Sequence, residues 1–147
     1  MLTVGTKVCE GQRTTFRQVP VESLAGCLLT SITREGDPMP VPGRAESVAG
    51  KVATVRVVLT DGTSLRLPAD ARVLVATDGY EYVRAADLLA GEQLVPLGKW
   101  SLPHQPPPAK AVQSVEDSSE IEGVYAVRVS GAGANYALAA GIFVASD

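Results

Sequence analysis

Nucleophiles and proton carriers are scarce in this chain of 147 residues: two cysteines, Cys9 and Cys27, and a single histidine, His104. A cysteine attacks only as the thiolate, which needs a neighbouring base or cation, and imidazole is the usual base. No such pairing is visible along the chain. Both cysteines fall in apolar, strand-like surroundings, where a free thiol packs as a small hydrophobe. A disulfide between them stays open. His104 stands in a proline-rich stretch with no serine or cysteine beside it, so no catalytic role is assigned to it. Two cysteines and one histidine cannot complete an ordinary zinc site without distant carboxylates. No metal or other cofactor is expected.

The formal net charge is −3 and no basic face is visible, which argues against nucleic acid or an anionic membrane as partner. The longest apolar runs are short, such as residues 137–140, far below the ~20 that a membrane span needs. The first seven residues lack the basic start and apolar stretch of a signal peptide. A soluble protein without an export signal is expected, cytoplasmic or assembled into a virion. A small-molecule substrate is not expected.

The elements that must position any site are short strands. Residues 51–59 are rich in β-branched side chains, and Asp61-Gly62 then Ser64-Leu65-Arg66-Leu67 complete a hairpin with a tight primed turn. Residues 72–76, Asp78-Gly79 and 80–83 form a second hairpin, and 123–129, 135–138 and 142–144 give three more strands. Helical turns are confined to 21–24 and 85–89. Residues 37–43 hold three prolines and 101–110 hold four, so both must be loops or edges. The second is a stiff surface connector; the alternative is a ligand for a proline-binding groove. Charge-rich 34–37 and 116–120 are turns or solvated faces, and Trp100 either anchors the connector to the core or, if exposed, marks a contact site. At this size a single domain spanning 1–147 is expected.

One pattern occurs twice. Phe16-Arg17-Gln18-Val19 runs into a short turn ending at Leu24, then Gly26, then Cys27-Leu28-Leu29. Tyr80-Glu81-Tyr82-Val83 runs into a turn ending at Leu88, then Gly91, then Gln93-Leu94-Val95. The implied architecture is all-β with two related halves.

On these residues the chain resembles the Hint domains, the hedgehog/intein superfamily, over essentially its whole length. Residues 1–8 are similar to the opening block, a nucleophile followed by a Gly-Thr-x-Val strand. The repeat matches the family's internal duplication. Residues 67–75 stand in place of the Thr-x-x-His block, and 124–129 with 135–144 look like the two closing blocks. The proline-rich connector lies where larger inteins insert a homing endonuclease, and no insert is present. The resemblance implies a horseshoe-like all-β disc with pseudo-twofold symmetry, whose halves bring the chain ends together.

The chemistry this resemblance implies is acyl transfer by protein splicing. It needs a Cys or Ser at the first position, donors for a tetrahedral oxyanion, a histidine to move protons, and a terminal Asn that cyclises. Here the nucleophile position is Met1, the Thr and His positions are Pro68 and Ala71, and the Asp position is Ala126. The His before Asn135 is Ala134, and the closing His-Asn pair is Ala145-Ser146, followed by Asp147. Losing one acid–base group costs ~10²–10⁴ in rate, and losing the nucleophile removes the pathway. Cys27 stands where the family often has Asp. Ser146 and Asp147 form a solvent-exposed tail or a decayed release site.

The expectation is therefore a catalytically inactive Hint/intein-like domain acting as a structural or protein-interaction module, for example in a phage virion or another large assembly. It would bind copies of itself or a protein partner. The alternative is a self-processing intein inactivated by engineered substitutions. That would account for Met1 and the changed terminus but not readily for Pro68, Ala71, Ala126 and Ala134 together. A third alternative, an unrelated small barrel, would lack a twofold relation between 16–29 and 80–95.

Overall fold

A computed structural model of the protein describes residues 2–3, 7–12, 15–20, 28–33, 38–77, 79–96, 110–121, 124–129, 134–138 and 140–147. The β-type alternation of the sequence becomes strands β1 (Leu2–Thr3), β2 (Lys7–Gln12), β3 (Thr15–Pro20), β4 (Leu28–Ile32), β5 (Pro38–Val48), β6 (Val52–Leu59) and β7 (Ser64–Pro68). They are followed by β8 (Arg72–Thr77), β9 (Gly79–Arg84), β10 (Gln93–Leu94), β11 (Lys110–Ile121), β12 (Val124–Val129), β13 (Asn135–Ala137) and β14 (Phe143–Ala145). A 3-10 turn, Ala85–Asp87, is the helical element among the described residues.

The duplication expected from the sequence is present in the strand order. One sheet runs β1-β12-β5-β4-β2-β3. The other runs β7-β6-β11-β10-β8-β9, with β14 and β13 added beyond β8. Mapping β1–β6 onto β7–β12, and β12 back onto β6, turns the first order into the second. The two related hairpins are β2/β3 and β8/β9, with 16–19 in β3 and 80–83 in β9. This relation sets aside the unrelated barrel. The halves also exchange strands: β5 pairs with β12 of the second half, and β11 pairs with β6 of the first.

The core follows the pleat, since successive side chains of a strand face opposite sides. Along β6, Val55, Val57 and Leu59 are buried while Arg56 between them is exposed. Strand β8 is covered on both faces. Val73 and Val75 enter the main core with Leu2, Leu29 and Tyr136, and Leu74 enters a smaller cluster with Ile32, Val95, Ala137 and Phe143. In the second repeat the turn after β9 buries Leu88, and Gly91 takes a φ of +91°, which glycine adopts without steric cost. The equivalent turn at 21–24 and Gly26 lie outside the described residues.

One local expectation meets a different outcome, and two resolve to one of their alternatives. The β6/β7 hairpin closes through Thr60-Asp61-Gly62, with Leu59 N–H donating to Thr63 C=O at 2.8 Å and Gly62 N–H to Leu59 C=O at 3.0 Å. A three-residue loop with glycine last replaces the two-residue primed turn. Strand β5 contains all three prolines of 37–43, in register with β4 as Thr30↔Pro40 and Leu28↔Pro42. Prolines at alternate positions place every missing N–H on one side of the strand, leaving Met39 and Val41 to donate to β4. The side they face is free of β12, which pairs with 43–48 only. They therefore occupy an edge, one of the two settings proline allows. Residues 116–120 form a solvated face and not a turn: they lie within β11, antiparallel to β6, with Glu116 and Asp117 on exposed positions.

Candidate functional site

The first and last parts of the chain meet on β12. Leu2 and Thr3 pair with Tyr125 and Val124. Farther along the same edge, Val127 N–H donates to Asp147 Oδ2 at 2.9 Å, and Asp147 N–H donates to Val127 C=O at 2.9 Å. Val129 N–H donates to Ser146 Oγ at 3.0 Å. Tyr125 and Val127 are two residues apart, so Leu2 and Asp147 are set about 7 Å apart along the strand. Ala126 lies between them, buried and opposite Glu46 of β5.

Ser146 is half-buried and Asp147 exposed, as expected of a terminal segment, but hydrogen bonds tie both to β12. Ser146 N–H donates to Ala134 C=O at 2.8 Å, and its hydroxyl donates to Asp147 C=O at 3.2 Å. Pairing of β13 with β14 places Asn135 opposite Ala145, which aligns the segment that makes these bonds.

The positions singled out by the resemblance fall into separate groups. Ala134, Ala145 and Ser146 line one cleft of about 400 Å³. Ala134 is exposed with a φ of +47°, a left-handed conformation uncommon for a residue with a Cβ. Pro68 and Ala71 do not line this cleft. They form the tight turn before β8, where Ala71 N–H donates to Pro68 C=O at 3.0 Å and Ala71 C=O accepts from Ala85 N–H at 2.7 Å. Both are buried. Cys9 lies in β2 opposite Gln18, with its side chain outside what is described. Met1, Cys27, Trp100, His104 and the rest of 101–109 lie outside the described residues. Among the described residues no three His, Cys, Asp or Glu side chains converge as metal ligands.

The cleft has polar features that sequence reasoning missed. Asn135 is 3% exposed and joins the two halves. Its Oδ1 accepts from Ile32 N–H and from Ser31 Oγ, both at 2.9 Å. Its Nδ2 donates to Ile32 C=O and to the Tyr82 hydroxyl, both at 3.1 Å. Ile32 and Pro38 face each other as a non-hydrogen-bonded pair, so Ile32 N–H and C=O point away from β5, and the Asn135 carboxamide takes both. Asn135 stands in the closing block of the sequence, where it marked a neighbouring position and drew no role of its own.

Beside it, the Arg72 guanidinium sits 5.8 Å from the centroid of the Tyr82 ring. Its cross-strand neighbour Arg84 pairs with Asp70 and Asp87, and the Asp70 carboxylate holds the Arg84 pKa above its ordinary value. Tyr136 is fully buried, and its hydroxyl has no hydrogen-bond partner among the described residues. Burial, with a smaller effect of the Asp147 carboxylate, pushes that phenol well above its usual range, so it stays neutral.

No protein-family model matches the sequence, and no curated protein matches it. Solved structures do. The Ssp DnaB mini-intein variant M86 superposes with a TM-score of 0.79 at 19% identity, covering 99% of this chain and 93% of that one. An intein from a hyperthermophile gives a TM-score of 0.78 at 15% identity, covering 99% and 98%. A DnaB intein from Synechocystis sp. PCC 6803 gives 0.72 at 15% identity, with the same coverages. The chain has the all-β Hint fold of these inteins.

Proposed function

We propose that this Hint-fold domain has lost self-processing chemistry and serves as a structural or protein-interaction module. The carrying observation is the make-up of the region where the chain ends meet. Ala126 lies between them, Ala134 and Ala145 line the adjoining cleft, and the Ser146 hydroxyl is committed to Val129 N–H and Asp147 C=O. Acyl transfer requires a nucleophile, a proton carrier and a leaving amide in reach of one another. Methyl groups provide none of these. Ala71, in the turn before β8, removes a further imidazole position. Several missing acid–base groups, each contributing ~10²–10⁴, leave no useful rate.

The chain placed between two folded reporter domains tests this. The expected result is a single uncleaved species on gels and by intact mass, with or without added thiol. Release of either reporter, or ligation of the two, overturns it. Sedimentation analysis and pull-down from the native host test the module itself: a strict monomer with no recovered partner counts against it.

The arrangement on β12 favours one second reading, a self-processing domain inactivated by substitution. The first strand and the last residues still lie side by side, as splicing demands. A source gene whose reading frame continues into host-protein segments on both sides would support it.

A further inference from the structure

We propose that the cleft between the halves docks a partner-protein segment carrying an acidic side chain, whose carboxylate pairs with Arg72. This rests on the interaction-module reading. The cleft, about 400 Å³, lies within the size range of ligand pockets, roughly 300–1,000 Å³. Its floor is apolar Leu74 and small Ala145, and its walls are Tyr80, Tyr82 and Arg72.

The charge argument turns on where the nearby carboxylates go. Asp70, two residues before Arg72, is taken by Arg84, as is Asp87. Among the described residues no carboxylate pairs with Arg72, and the contact that holds its guanidinium is the Tyr82 ring. A cation–π contact of this kind uses none of the guanidinium's five N–H donors, which remain available for a ligand. Tyr82 is itself held by Asn135 Nδ2, so the cation is seated on a braced aromatic. A fork of donors at the wall of a cleft suits a bidentate carboxylate.

The same residues favour a protein segment over a free anion. One partly exposed cation gains little from an ion pair in water, so a small anion alone would be held weakly. A peptide adds contact with Leu74 and the tyrosine rings. Tyr80 is 40% exposed, one of two large apolar side chains so exposed among the described residues. Arg and Tyr are the types enriched at interface hot spots.

The probe is a panel of fluorescein-labelled extended hexapeptides that differ only in a central Asp or Asn, read by anisotropy. An Asp peptide is expected to bind saturably and its Asn counterpart about tenfold more weakly, the range for a hydrogen-bonded charge. Arg72→Gln should cost the Asp peptide the same factor and the Asn peptide nothing further, as a double-mutant cycle requires. Tyr80→Ala should weaken both peptides. Arg128→Gln, whose side chain pairs with Glu46 on the other sheet, should bind like the parent. Circular dichroism checks that each variant folds. The proposal is overturned if no Asp peptide saturates, if Asn peptides bind equally, or if R72Q binds unchanged. It is also overturned if acetate at matched concentration displaces the peptide completely, or if R72Q abolishes a self-association seen by sedimentation, which would make the occupant a second copy. Failure of peptide binding with reporters uncleaved defeats this inference alone. Reporter cleavage defeats the module reading.

Discussion

Truncating Asn135 to alanine removes the four hydrogen bonds that tie β13 to β4 and β9. At about 1 kcal/mol net for each bond, the loss is about 4 kcal/mol. The largest share falls on Ile32, whose N–H and C=O lose their partner together, and an orphaned buried backbone group costs about 1–3 kcal/mol. Water entering from the adjoining cleft can satisfy part of this and sets the lower bound near 2 kcal/mol. A domain holds some 5–15 kcal/mol in total, so N135A should be visibly weakened yet measurable. The assay is urea unfolding followed by circular dichroism, with the midpoint falling and the slope unchanged. Ser31→Ala removes one bond and should cost about 1 kcal/mol. The S31A/N135A double variant should then fall short of additivity, because the two share that bond. A loss under about 1 kcal/mol in N135A, or full additivity with S31A, would refute the account of Asn135 as the brace between the halves.

Other outcomes follow from the same structure. Tyr136→Phe removes a buried hydroxyl with no partner among the described residues, and should be neutral or stabilise by up to about 1 kcal/mol in urea unfolding; a measurable loss would reveal a partner. Asp61 has its pKa lowered from 3.8 to about 2 by Thr63 N–H and by Lys110, so its contribution is complete above pH 3.8 and fades as the pH falls towards 2. Asp61→Asn should flatten the stability profile in that window alone, and an unchanged profile would count against the contact. Gly43 is buried, and a Cβ there would stand 2.6 Å from Leu29 Cδ1 and 3.1 Å from Val129 Cγ1. Gly43→Ala should therefore cost about 1–3 kcal/mol by overpacking, read in the same unfolding assay; a neutral result would show that Leu29 moves freely.

The repeat and the hairpins were legible because they rest on local signals: β-branched runs, Asp-Gly turns and a recurring strand-turn-strand order. What was not legible depends on neighbours far along the chain. Strand β11 is rich in Glu, Asp and Ser, poor strand formers, and it becomes a strand because β6 supplies a long ladder beside it, interrupted at two register shifts. The prolines of β5 suit a strand only because β12 stops at Gly43. The altered positions could be named by alignment of blocks, but nothing local says that Ala134 and Ala145 share a cleft while Ala71 does not. Asn135 was overlooked for the same reason. Its side-chain carboxamide reaches Ser31, Ile32 and Tyr82, more than 50 positions away.

The exchange of strands between the halves also governs how the chain reaches this state. As synthesis proceeds, β5 and β6 emerge early, but each lacks the strand that covers its outer edge until β11 and β12 appear. The first sheet cannot be completed before residue 129, because β12 lies between β1 and β5. Closing such distant pairings places this domain among slow, ms–s folders. During that interval bare ladders of N–H and C=O groups are exposed, a known invitation to mispairing between nascent copies. The order and timing of pairing therefore decide whether the chain reaches its finished surface at all.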